Sequence, residues 1–563
     1  MYRTLLVLLL TAFCPGAHPK FGPPVVSTGP HDPSVAPTIG FFMDRWQPKT
    51  FTIPACRPGA VPAEALSTLT IDPDSIVTRI SPTEYGHNAD TWMNKMVSQP
   101  VLMAHLKQLN PHIIRWPAGS GSDGYFWNSG PGTLPSDVPA QIVDSKGKKV
   151  TPHWFYGRPR FAGASVDDYY DLLAATGSDG LITVNYGYAR YGTGPNPVAT
   201  AAHLAADWVR YDHGRTRYWE IGNENYGSWE LGYRIDTTIN RDGQPGMLTG
   251  RLYGEQFRVF ADSMRSAARE TGVAIHIGAV MHESPPVFFD PPLTKEWNAG
   301  MLRAIGDYAD FYVVHNYFTP WNANTDAADI LHAALTVPTV TMDYVLNCLH
   351  DNGGMVKPVV MDEWNMFAVG SKQQVSNVSG LFSVIVMGEL LENRYGLTAR
   401  WDLLNGWAGG NDHGLFSSGD EPGVKRYSPR PSFYYLDYFQ RMCGDRIVAS
   451  RVNGDTSLRV YASTFSSGEV GTAIVNTSTK AAAVAVEILH LPKRGHYYWY
   501  SLEGGDDNGE FSRKVSINGD TTTLAAGGPS DYATIPAFSA AVKPGIRVTV
   551  PARGVVFLVV RRR

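Results

Sequence analysis

Two glutamates stand where apolar sequence gives way to loop. One is Glu224, within Trp219-Glu220-Ile221-Gly222-Asn223-Glu224-Asn225-Tyr226-Gly227. The other is Glu363, within Val359-Val360-Met361-Asp362-Glu363-Trp364-Asn365. A single such Glu reads as a solvated loop residue or a helix-start charge. Two that face one cavity are what glycoside hydrolysis needs: an ionised carboxylate attacks the anomeric carbon, and a protonated one gives its proton to the leaving oxygen. Other chemistries lack their residues. No Gly-rich phosphate loop follows an apolar run, no Ser nucleophile elbow appears, and no His/Cys/Asp cluster has zinc spacing.

Eight short apolar runs could hold these residues: Val77–Ser81, Ile113–Pro117, Leu181–Asn185, Arg217–Asn223, Ile275–Val280, Phe311–His315, Pro358–Glu363 and Ala399–Leu404. Helix-like stretches separate them, so the expected fold is α/β, a (β/α)8 TIM barrel over residues 75–444. A doubly wound open sheet is the rival, weakened by the missing phosphate loop. In a barrel the strand C-termini line the active site, which puts Glu224 at strand four and Glu363 at strand seven. Residues 445–563 form short β-rich runs between Gly, Asn, Asp and Pro turns, expected as a C-terminal antiparallel β-sandwich. Residues 41–74 carry β-like pieces of their own and are expected to join that sandwich.

These segments resemble a known group. Trp219–Gly227 and Lys357–Asn365 resemble the retaining glycosidases of clan A. Asp362-Glu363-Trp364-Asn365, Ile114-Arg115-Trp116-Pro117-Ala118-Gly119, Tyr125-Phe126-Trp127 and Tyr85-Gly86-His87 look most like the α-L-arabinofuranosidases. The resemblance implies a barrel with a β-sandwich, no cofactor and no metal, a carbohydrate substrate, and retention through a covalent glycosyl-enzyme. By position it makes Glu224 the acid/base and Glu363 the nucleophile. Asn223 would then meet the substrate 2-hydroxyl, and Arg115 would hold Glu363 ionised. Tyr317 is a donor candidate for Glu363, and His315 for orienting the carboxylates. Asn185 is a candidate for sugar hydroxyls, and Trp229, Trp321, Trp364 and Trp407 are candidate stacking platforms. Each of these also has an ordinary packing or ion-pair reading. Glu220 reads as a buried, paired residue four positions deeper. Glu220-Ile221-Gly222-Asn223-Glu224 is equally like the β-xylosidases and β-glucuronidases of the clan, and a galactan-cleaving enzyme is a further clan A alternative. A non-catalytic carbohydrate-binding barrel is the rival of a different class.

Composition agrees with this. The chain has 563 residues, 43% hydrophobic and 18% charged, which excludes wholesale disorder and a coiled coil. Its 48 basic and 52 acidic residues give −4, no footprint for nucleic acid. Residues 1–17, with Arg3 and the apolar run Leu5–Phe13, read as a signal peptide, so a secreted or periplasmic protein is expected; residues 18–40 read as a flexible leader. Cys14 raises a lipoprotein alternative. No apolar stretch is long enough to span a bilayer. Cys56, Cys348 and Cys443 allow one disulfide at most, and Asn377-Val-Ser and Asn476-Thr-Ser would be glycosylation acceptors in a eukaryotic host.

Overall fold

A computed structural model describes residues 42–117, 119–159, 163–287, 291–370, 373–407, 412–491, 494–505 and 509–561. The expected signal and leader segments lie outside them.

Eight parallel strands close into a barrel. They are β1 (Gly86–Asn88), β2 (Ile113–Trp116), β3 (Asp179–Val184), β4 (Tyr218–Ile221), β5 (His276–Val280), β6 (Phe311–Tyr317), β7 (Val359–Asn365) and β8 (Leu397–Arg400). Each follows its chain neighbour around the ring, and β8 pairs with β1. One expected strand is corrected. The first barrel strand is β1, not Val77–Ser81, and a boundary at residue 75 falls inside another element. Ser67–Arg79 is a strand of the C-terminal sheet, where it lies antiparallel to Arg446–Asn453 and parallel to Ala482–Ile488. Its alternating burial from Ser67 to Pro73 suits that sheet rather than a barrel buried on both faces. β1 has no apolar run to announce it. A Cβ on Gly86 would lie 2.3 Å from the Thr398 carbonyl oxygen and 2.5 Å from Ile113 Cγ2, so closing the barrel requires glycine there.

The barrel floor is apolar. Ile113, Leu181, Tyr218, Phe311, Val313, Val360 and Leu397 fill it, and Phe42 covers them, stacked 3.7 Å from the His276 ring. Above this layer the barrel interior turns polar, with Arg115, Glu220, His315, Asp362 and Glu363 all buried.

Eleven of the remaining β-strands form one continuous, mostly antiparallel sheet, and three short two-stranded pairs lie outside it. Ile546–Val550, at one end of its hydrogen-bonded path, and Tyr497 and Trp499 of His496–Gly504, toward the other end, bury side chains in one core, so the sheet curls over itself. Helix Asn377–Glu392 is apolar all round because it is covered on every side: Gly380 meets Tyr435 of helix Pro431–Met442, and Gly388 meets Tyr461 of the sheet. Barrel and sheet therefore share one hydrophobic core. Both candidate glycosylation asparagines are buried. Asn377 Nδ2 donates to the Arg553 carbonyl and Asn476 Nδ2 to the Lys480 carbonyl, so the folded chain offers neither. Cys56, Cys348 and Cys443 are free thiols.

One buried acid gives a pH prediction. Glu84 is fully buried, with neither carboxyl oxygen hydrogen-bonded, and burial raises its pKa to about 8. Folding therefore favours the neutral form. Stability from this group is complete below the ordinary carboxyl range and is lost as pH rises toward 8. At about 1.4 kcal/mol per pKa unit, the loss is on the order of 4 kcal/mol. Glu84→Gln removes that slope. Its melting temperature relative to wild type should climb between pH 5 and pH 8; a constant difference would show that Glu84 is not held neutral.

Candidate active site

The upper barrel interior is organised by one fully buried cation. The Arg115 guanidinium, at the C-terminal end of β2, lies 2.9 Å from Glu220, 3.4 Å from Asp362 and 3.0 Å from Glu363 Oε2. It also donates to Asn88 Oδ1 at 3.1 Å and to Asn223 Oδ1 at 2.8 Å. Burial disfavours its charge, but Glu220, Asp362 and Glu363 outweigh that and push its pKa further up. Glu220 sits in the deeper layer, bonded by Arg115 and by Thr183 Oγ1 at 2.7 Å.

A bulge supplies two of these carboxylates. Val314 pairs with Met361 but His315 pairs with Glu363, so Asp362 is an extra residue in β7. Strict alternation would turn Asp362 or Glu363 away from the barrel. With the bulge, both face inward and reach Arg115 and His315.

Local backbone aims Glu224. Gly222 has φ 79°, and a Cβ there would lie 2.0 Å from Asn225 Oδ1. Asn225 Nδ2 donates to Asp123 at 2.6 Å, pinning the turn that follows β4. Glu224 itself has φ 41°, a left-handed conformation that non-glycine residues rarely adopt. Such strain concentrates at sites whose surroundings hold it in place.

Glu224 and Glu363 meet at His315. One carboxylate oxygen from each and a ring nitrogen of His315 all lie within 4.8 Å of one another. His315 Nδ1 is 2.9 Å from Glu224 Oε1, and Nε2 is 3.1 Å from Asp362 Oδ1. Glu224 Oε2 accepts from Trp229 Nε1 at 2.8 Å, while Glu363 Oε1 accepts from the Tyr317 hydroxyl at 2.7 Å. Burial alone would lower the pKa of His315. The charge of Glu363 and the bonds to Asp362 and Glu224 instead raise it well above the usual value. Burial raises Glu224, but the His315 hydrogen bond and charge bring it below the ordinary range. Glu363 is raised, since burial and the charge of Glu224 outweigh His315, Arg115 and Tyr317.

These groups open on a cavity of about 640 Å³ lined by residues from six strand ends. Asn223, Glu224, Trp229, His315, Tyr317, Trp321 and Glu363 all line it, as expected from sequence. Trp229 and Trp321 are 61% and 74% exposed at its rim. A smaller hollow of about 430 Å³ lies as a groove beside Lys49 and His112 and shares no residue with this cavity.

Three sequence candidates are corrected. Trp364 is only 1% exposed; it points outward between the inward Glu363 and Asn365, against Phe382. Asn185 is spent on structure, its Nδ2 donating to the Tyr125 carbonyl and its Oδ1 accepting from the Tyr188 amide. Trp407 lies outside the cavity, 5.8 Å from the Arg513 guanidinium. In their place the cavity uses Tyr226, His282, Glu283, Phe367 and Trp401, which sequence reading passed over. Trp401 directly follows β8; extending that strand to Leu404 hid it.

Among the described residues, two groups have atoms close enough to hold a cation: Glu220 with His315 and Asp362, and Glu224 with His315 and Glu363. Both already have Arg115 as a positive partner. Their members come from β4, β6 and β7, so no local spacing could have revealed them.

No protein-family model matches the chain. It is 22% identical over 274 residues to an intracellular exo-α-(1→5)-L-arabinofuranosidase of Acetivibrio thermocellus, covering 46% of this chain and 48% of that protein. A Streptomyces lividans protein of the same description is 22% identical over 285 residues, covering 48% and 37%. The chain thus spans about half, or less, of the curated relatives it matches. Among solved structures, the α-L-arabinofuranosidase of Thermotoga maritima in its arabinose complex superposes with a TM-score of 0.60 at 18% identity, covering 88% of this chain and 99% of that one. A family 44 xyloglucanase of Paenibacillus polymyxa superposes at 0.54 with 12% identity, covering 88% and 99%. The barrel fold is shared with these enzymes, and the resemblance to arabinofuranosidases read from the motifs recurs in both the sequence and the fold comparisons.

Proposed function

We propose that the chain is a retaining glycoside hydrolase with an α-L-arabinofuranosidase-like specificity. One observation carries this: Glu224 and Glu363, from β4 and β7, bring carboxylate oxygens within 4.8 Å of each other above a single cavity. Retaining enzymes hold their carboxyl groups about 5–5.5 Å apart, whereas inverting enzymes leave room for a water. The arabinofuranosyl preference rests on the activities described for the relatives and for the superposed structures.

In this reading Glu363 attacks the anomeric carbon. Arg115 and Tyr317 donate to its two oxygens and favour the ionised form. Glu224 must start protonated, yet in the ligand-free charge state it is depressed and Glu363 is raised, the reverse of that need. The Glu224–His315 contact resolves the conflict. A proton moved along the 2.9 Å line from His315 Nδ1 to Glu224 Oε1 makes Glu224 a neutral acid, while His315 keeps its Nε2 proton toward Asp362. Charge is conserved within the pair. Departure of the leaving group takes the proton from Glu224 and leaves a glycosyl ester on Glu363. Glu224 then removes a proton from water, which attacks the same carbon and frees Glu363, so the second inversion restores the starting configuration. Asn223, whose Oδ1 is held by Arg115 and whose Nδ2 donates to Glu230, meets the 2-hydroxyl in the transition state. Trp229 and Trp321 present ring faces to sugar.

Residues 1–17 direct export in the same reading, although the curated relatives are described as intracellular. Among the described residues, no helix is long and apolar enough to cross a membrane. The curled 11-strand sheet serves as the accompanying β-sandwich unit.

The test is a panel of nitrophenyl glycosides. Nitrophenol release should be fastest from the α-L-arabinofuranoside. Faster release from a β-xyloside or β-glucuronide would keep the mechanism and replace the sugar. Inactivity on the whole panel, together with sugar binding, would favour the non-catalytic reading.

A further inference from the structure

One carboxyl group in the cavity has no part in the two-glutamate scheme. Glu283 lies in the loop after β5, lines the same cavity as Glu224, and has its Oε2 removed from solvent without a hydrogen-bond partner. Burial and the nearby charge of Glu224 raise its pKa, with His282 opposing. A buried acceptor left unpaired is costly, and this one belongs to a residue of the cavity wall, where a ligand hydroxyl could reach it.

The wall around it is continuous. The Tyr226 ring packs edge-on against His282 at 4.8 Å and against Trp229 at 6.3 Å, and Tyr226 also interacts with Glu283. All four residues come from the loops after β4 and β5. Gly119, Ser120 and Trp401 come from the loops after β2 and β8, on the side of Arg115 and Glu363. The bond to be cleaved must lie between the nucleophile Glu363 and the proton donor Glu224. The sugar being transferred therefore occupies the Glu363 side, and the leaving group must lie along the β4–β5 wall.

We propose that Glu283, with the exposed face of Trp229, forms the leaving-group subsite, its unpartnered oxygen accepting a hydrogen bond from a hydroxyl of the departing sugar. The inference rests on the glycosidase reading and narrows it. The preferred substrate is a saccharide whose leaving group is itself a polyhydroxylated sugar, not a glycoside of an apolar alcohol. Trp229 ties this subsite to catalysis, because its indole N–H holds Glu224 Oε2 while its ring receives the leaving sugar.

The experiment compares two substrates with the same transferred sugar: an aryl glycoside, whose leaving group has no hydroxyl donors, and a disaccharide. In Glu283→Leu the ratio of kcat/KM on the disaccharide to that on the aryl glycoside should fall by about tenfold or more, the scale of a lost hydrogen bond to a carboxylate. Glu283→Gln, which keeps an acceptor oxygen, should recover part of it. An unchanged ratio in both variants would overturn the proposal. A second measurement uses the unaltered protein, should either variant fail to fold. Disaccharides lacking one leaving-group hydroxyl at a time should include one that is cleaved at least about tenfold more slowly; losses below about twofold at every position would overturn it equally. Wild-type inactivity on both substrates would instead overturn the glycosidase reading, and this one with it.

Discussion

Glu363→Ala is expected to lower kcat by at least about a thousandfold while the protein stays folded. Fold survives because Arg115 keeps Glu220, Asp362, Asn88 and Asn223 as partners after Glu363 is gone. Activity does not survive, because no other carboxylate replaces it at the anomeric carbon. Asp362 is turned to His315 and Arg115 in the layer below, and Glu220 lies deeper still. Azide should partly restore turnover by entering the vacated space, and its product should be a glycosyl azide of inverted configuration. A purified, folded variant that keeps more than about a tenth of wild-type rate would remove Glu363 from the nucleophile role, since positioned catalytic groups contribute about 10²-fold or more.

Glu224→Ala is expected to separate substrates by leaving group. Natural glycosides, whose alkoxide leaving groups need a proton, should slow by about 10³-fold or more. Aryl glycosides with acidic phenols should form the glycosyl-enzyme with much smaller loss. The ester on Glu363 should then accumulate, visible as a burst of phenol and as a mass increase on intact protein, because no base activates water. The His315 contact sharpens the expectation. His315 Nδ1 also lies 3.7 Å from Glu363 Oε2, so losing Glu224 leaves a cationic ring beside the nucleophile and lowers the pKa of Glu363. The acidic limb of the aryl-glycoside pH profile should therefore move to lower pH. Equal losses on both substrate types would move the acid elsewhere, with Glu220 the first residue to examine.

The two glutamates proposed for catalysis stand out in sequence because a barrel strand has a simple form: an apolar run, then polar residues at its C-terminal end. β4 and β7 follow that form, and so do Arg115 after Ile113-Ile114 and Tyr317 at the end of β6. What was not legible has a physical cause in each case. β1 is three residues, Gly-His-Asn, chosen by crowding from β2 and β8 that sequence cannot display. The bulge at Asp362 cannot be seen either, since it exists only as a mismatch with β6. Reading β7 without it made Trp364 a loop platform, whereas the strand continues to Asn365 and turns that ring into the core. Trp407 and Asn185 were chosen for residue type near a strand end, and long-range partners, Arg513 for one and Tyr188 for the other, claimed them. Glu283 went unread because Met281-His282-Glu283 has no amide or aromatic companion of the kind that marked Glu224 and Glu363. Ser67–Pro73 alternates clearly, but alternation does not say which sheet receives the strand.

The central claim is that Glu224 and Glu363 act as a close pair in a double displacement, and the stereochemistry of the first product tests it most directly. Hydrolysis of an aryl α-L-arabinofuranoside, or of whichever aryl glycoside the panel identifies, should be followed by ¹H NMR from the first minute. The observed 4.8 Å grouping of the two carboxylates with His315 predicts that the first-formed sugar keeps the substrate's anomeric configuration, with the other anomer growing in only at the rate of mutarotation. A first product of inverted configuration would contradict the account, even if both glutamates proved essential.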